Sequence, residues 1–83
     1  MTTWRKILEN VMRHYGESFE DVIATTLTPE QLIEAFDNGY GGIEGCSFTL
    51  WTKNRVYFPT EYDGAEWAAS VPRNPSEEVT RHI

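Results

Sequence analysis

The sequence predicts an α+β domain in which two to three N-terminal helices pack on one face of a three-stranded antiparallel β-meander. Three observations carry that reading. Apolar residues recur at helical spacing through the first half, they alternate with polar ones after residue 46, and short turn sequences separate the alternating runs. The expected organisation is one domain over 1–83, with a helical half at 3–38, a meander at 46–72 and a short tail at 73–83.

The first helix follows from Trp4, Ile7, Leu8, Val11, Met12 and Tyr15, an i, i+3, i+4, i+7, i+8, i+11 stripe starting beside Thr3 and closed by Gly16. Ser18 with Asp21 three residues on resembles a capping box, so Phe19, Val22, Ile23 and Leu27 read as the apolar face of a short second helix. Thr28 as N-cap, Pro29 at the first helical position and Gln31 at the third mark a third helix. It carries Leu32, Ile33 and Phe36 and ends at Asn38-Gly39.

The glycine-rich connector Tyr40-Gly41-Gly42-Ile43-Glu44-Gly45 then breaks the helical period. Phe48 and Leu50 alternate with Thr49 and Trp51, and Val56 and Phe58 with Arg55 and Tyr57. A three-residue loop, Thr52-Lys53-Asn54, would set Leu50 opposite Val56 and Phe48 opposite Phe58. A two-residue type I′ turn at Asp63-Gly64 would set Trp67 opposite Thr60, Ala69 opposite Phe58 and Val71 opposite Val56. On this reading Phe48, Leu50, Val56, Phe58, Trp67 and Val71 form the buried face, packed on Trp4, Leu8, Val11, Leu32 and Phe36. Pro59 lacks an N–H in the central strand, which predicts a bulge or the end of regular pairing there. Residues 77–83 form at most a short helical turn.

Charge restricts the partners. Seven Lys and Arg against thirteen Asp and Glu give a net charge of −6, so binding to phosphate backbones or anionic lipid would work against long-range repulsion. Direct nucleic-acid binding is therefore not expected, and no apolar run approaches the ~20 residues that cross a bilayer. The lone Cys46 allows no internal disulfide, and the N-terminus lacks a signal-peptide pattern; both predict a cytoplasmic protein.

No catalytic constellation emerges. Cys46 would need a histidine partner, and only His14 and His82 exist. The glycine connector runs from helix to strand, the reverse of a phosphate loop, and lacks the lysine and hydroxyl of that motif. One Cys and two distant His make no zinc site, and Glu17, Glu20 and Asp21 lack calcium-loop spacing. The expectation is a protein that is not an enzyme and uses no cofactor or metal.

What remains is aromatic. If the apolar set is buried, the opposite sheet face displays Thr49, Trp51, Arg55, Tyr57, Glu66 and Ser70. Trp, Tyr and Arg are the residue types that dominate binding hot spots. Trp51, Arg55, Tyr57 and Glu66 are accordingly the expected partner-binding residues, with a possible homodimer through the same face. The alternatives are that Trp51 stacks on Arg55 or is covered by the tail.

The run Trp51-Thr52, Arg55-Val56-Tyr57-Phe58-Pro59, Tyr62-Asp63-Gly64, Glu66-Trp67 and Ser70-Val71-Pro72-Arg73-Asn74-Pro75 resembles a family of small uncharacterised bacteriophage and prophage proteins. The resemblance covers mostly the second half and brings no catalytic residues with it. It implies a small acidic phage-encoded accessory protein that occupies a surface on a host protein or protein complex, defence systems such as CRISPR–Cas included. The other readings are a self-associating structural or regulatory module, and a small ligand-binding or thiol-dependent enzyme.

Overall fold

The structure, a computed structural model, describes residues 1–37, 45–62 and 65–80. Helix α1 spans Trp4–His14, as its stripe predicts. The Thr3 hydroxyl accepts the Lys6 N–H at 3.1 Å, and Gly16 takes φ +74° just beyond the last turn. Its buried side is Trp4, Ile7, Leu8, Val11 and Met12.

The expected second helix is instead a single 3₁₀ turn at Phe19–Asp21, followed by strand β1 at Val22–Thr25. The Ser18 N–H donates to the Asp21 carboxylate at 2.9 Å, so the capping signal is used. The β-branched residues Val22, Ile23 and Thr25 then favour an extended chain over a helix. The Thr28 box starts α2, which spans only Pro29–Ile33; the Gln31 N–H donates to the Thr28 hydroxyl at 3.1 Å. It stops early because Phe36 pairs with Thr2 through two main-chain hydrogen bonds of 2.9 Å, leaving none for another turn. The expected helix end at Asn38-Gly39, the rest of the connector and the Asp63-Gly64 turn lie outside the described residues.

The sheet has four antiparallel strands rather than three, in the order β1, β2 (Leu50–Thr52), β3 (Arg55–Tyr62) and β4 (Ala65–Pro72). Between β3 and β4 the register is as expected, with Thr60 opposite Trp67, Phe58 opposite Ala69 and Val56 opposite Val71. Pro59 pairs with Ala68 without a bulge. The β2 ladder reaches only Val56 and Tyr57, so the missing N–H at Pro59 leaves no gap in it.

The first hairpin differs by one residue, and that inverts the buried face. Leu50 pairs with Tyr57 and Trp51 with Val56, because two residues, Lys53 and Asn54, make the connection instead of three. The Thr52 hydroxyl closes it by accepting the N–H groups of Arg55 at 3.0 Å and Asn54 at 3.3 Å. Leu50, Thr52, Arg55, Tyr57, Glu66, Ala68 and Ser70 therefore form the buried inner face. Phe58, Val56 and Val71, expected in the core, are only half-buried on the other side, and Trp67 there is 44% exposed.

Steric fit favours this choice. Ala68 and Ser70 on β4 are small enough to admit the bulky stripe of α1, whereas Trp67 and Val71 would hold the helix away. Trp4 occupies the centre, with ring centroids 4.9 Å from Phe36 and 4.8 Å from Phe48 and its indole N–H donating to the Cys46 carbonyl at 3.1 Å. Among the described residues, every buried side-chain polar atom has a hydrogen-bond partner.

Candidate functional site

The outer sheet face is built by period-two alternation from three strands. Cross-strand pairing lines up Trp51, Val56 and Val71, then Phe58 and Ala69, then Thr60 and Trp67, an unbroken series without a charged residue. Ala24 extends it on β1 opposite Trp51, and a bulge between Val22 and Ala24 leaves the neighbouring Ile23 58% exposed. Among the described residues no helix lies over this face, since α1 packs on the other one.

Only Trp51 of the four expected partner-binding residues lies on it, half-buried. Arg55, Tyr57 and Glu66 are buried on the inner face, because the shorter hairpin loop turned their parity toward α1. The residues that replace them outside are Val56, Phe58, Trp67 and Val71, which hydrophobicity alone predicts in the core. The signal that would have found them is size: β4 alternates Trp67 and Val71 with Ala68 and Ser70, and a helix needs the small side.

The inner face holds a polar network at the C-terminal end of α1. The Tyr57 hydroxyl donates to Glu17 Oε1 at 2.6 Å, and the Thr52 hydroxyl approaches both Glu17 oxygens at 3.0 and 2.9 Å. Burial first, then the bond to Glu17, holds the Tyr57 phenol protonated far above its ordinary value. Arg55 donates from Nε to Ser70 Oγ at 2.7 Å, and from Nη1 and Nη2 to the Glu78 carboxylate at 3.0 and 2.8 Å. Its guanidinium carbon lies 3.8 Å from the centre of the Tyr15 ring. The Glu78 bond pushes Arg55 further up, and the same bond holds the Glu78 carboxyl below its ordinary range.

Glu66 faces the other end, where both carboxylate oxygens accept the Gly45 N–H at 2.9 and 3.1 Å. Cys46 is half-buried in a small hollow of about 130 Å³ beside Pro59 and Glu66, whereas His14 lines a different hollow with Tyr15 and Ser70. These two residues thus form no dyad, and His82 lies outside the described residues. Among the described residues no group of three His, Cys, Asp or Glu side chains could hold a metal ion, and no helix is long and apolar enough to cross a membrane.

Comparison of the chain with protein-family models, curated proteins and solved structures finds no match.

Proposed function

We propose that the chain is a small binding module without catalysis, which docks its outer sheet face on another protein. The supporting observation is the face itself: Trp51, Val56, Phe58, Trp67 and Val71 share it, uninterrupted by charge. Aromatic residues of this kind bury large areas and anchor interfaces. Two eight-residue strands, about 27 Å long, with β2 of three residues and β1 of four beside them, make a face of roughly 370 Å² at about 4.8 Å of width per strand. That is the apolar centre of a standard interface of ~800 Å² per partner, and a rim would supply the rest.

The net charge of −6 opposes packing two copies together and favours a different protein as partner. The resemblance of the segment 51–75 to phage and prophage proteins makes that partner a host protein, with a defence complex such as CRISPR–Cas the finer reading.

The test is the double substitution Trp51→Ala with Trp67→Ala, in titrations against the purified host protein recovered with the wild-type chain. The variant should keep the wild-type circular dichroism and melting transition while affinity falls by about 2 kcal/mol or more, roughly 30-fold. Unchanged binding by a folded variant would move the interface elsewhere. A wild-type dimer that the double substitution dissociates would replace the host protein by a second copy.

A further inference from the structure

A second surface runs along the outer edge of β4 and adjoins the outer face at Trp67 and Ala69. Among the described residues β4 pairs only with β3, in unbroken register over eight residues. Neither a lysine nor a bulge guards this edge, and its one proline, Pro72, is its last residue. Its acid, Glu66, is engaged with Gly45. Four consecutive β4 residues, from Trp67 to Ser70, line a hollow of about 750 Å³ that α1 borders through Val11 and His14.

Arg55 stands beside this hollow, a buried guanidinium held by this chain's own groups. Ser70 takes Nε through its hydroxyl at 2.7 Å and Nη2 through its carbonyl at 3.4 Å, and the Tyr15 ring covers one face. The other edge of the fork, Nη1 and Nη2, takes the Glu78 carboxylate at two points. Receptor and occupant differ in burial: the Arg55 side chain is 9% exposed and that of Glu78 is 43% exposed. Every residue from Arg73 to Thr80 is exposed, so the occupant sits on a superficial tail.

We propose that Arg55, Tyr15 and Ser70 form a carboxylate-receiving site, filled in cis by Glu78, whose ligand in trans is an extended peptide that pairs with the β4 edge and places one acidic side chain on Arg55. The strand edge supplies main-chain hydrogen bonds, and Arg55 selects which position must be acidic. The chain's net charge of −6 disfavours a polyacidic ligand, so the site suits a segment with an isolated carboxylate. The tail acts as a tethered competitor at an effective concentration on the order of mM, which keeps the wild-type site largely closed.

The test uses the full chain with Glu78→Gln and, as probe, a fluorescein-labelled synthetic peptide of residues 74–83, NPSEEVTRHI. Removing the competitor should raise affinity for the probe about tenfold or more over wild type. A probe with Gln in place of Glu78 should lose about tenfold or more, because the charge-assisted pair is gone. The amide resonances of Trp67, Ala68, Ala69 and Ser70 should shift as the probe binds. Equal affinity of the two probes, equal affinity of the two proteins, or amide shifts away from β4 would each overturn the proposal. So would a wild-type chain that dimerises by exchanging tails and becomes monomeric on Glu78→Gln, since the occupant would then be a second copy.

Discussion

Tyr57→Phe removes one oxygen from the buried polar network and leaves the volume of the ring in place. The lost bond is the 2.6 Å contact to Glu17, whose remaining side-chain partner in this network is the Thr52 hydroxyl. A hydrogen bond to a charged group contributes about 1.5–3 kcal/mol, a large share of the roughly 4–12 kcal/mol expected for a domain of 83 residues. At about 4–8 °C per kcal/mol, the melting temperature at pH 7 should fall by roughly 6–24 °C. Glu17→Gln and the double variant complete a cycle in which the two sites couple rather than add.

The pH dependence gives a second reading of the same bond. Burial and Glu17 raise the Tyr57 pKa in the folded chain, so above the ordinary value of 10.0 the unfolded chain loses a proton that the folded one keeps. That contribution is complete below pH 10 and falls by up to about 1.4 kcal/mol per pH unit above it. The stability gap between wild type and Tyr57→Phe should therefore narrow above pH 10. Melting curves by near-ultraviolet circular dichroism at several pH values measure both effects. A Tyr57→Phe protein that melts with wild type at pH 7, or a gap that stays constant above pH 10, would refute the description of Tyr57 as a buried donor to Glu17.

Two further outcomes follow from the same face of the sheet. A Cβ at Gly45 would lie 2.7 and 2.9 Å from the Trp4 ring and 3.0 Å from Glu66 Oε1, and Trp4 is pinned between Phe36 and Phe48; Gly45→Ala should cost about 1–3 kcal/mol in urea unfolding, and a neutral result would show that Trp4 can yield. The Glu78 carboxyl is held below its ordinary 4.5 by Arg55, so its hold on the tail is complete above that value and is lost as pH falls through the lower folded one. The Glu78 amide, which donates to the Ser76 hydroxyl at 3.1 Å, should lose protection relative to its intrinsic exchange rate over that acid range while α1 stays protected, and a protection factor that does not change with pH would count against the clasp.

Local chemistry was legible wherever a short stretch of chain decides its own conformation. Thr3 and Gly16 bound α1, Thr28 and Pro29 start α2, and the β3–β4 register can be read from the chain around Asp63-Gly64, because caps and turns act over a few residues. The same scale explains one misreading. Capping residues at Ser18 and Asp21 announce a turn, yet Val22, Ile23 and Thr25 leave it as a strand once β2 is there to pair with.

The buried side of the sheet was not legible, since both faces of β3 are rich in large residues: Val56 and Phe58 on one, Tyr57 beside Arg55 on the other. Hydrophobicity alone favours the first pair, and a hairpin loop read as three residues agrees with it. The chain's own residues were enough for the α+β class, the starts of α1 and α2, the acidic charge and the second hairpin's register, but not for the fate of the Ser18 capping box or the number of strands. The tertiary structure decided which face α1 covers, because that depends on the fit of a bulky helix over Ala68 and Ser70 and on distant polar partners, Glu17, Glu78 and Gly45, which make Tyr57, Arg55 and Glu66 tolerable in the interior.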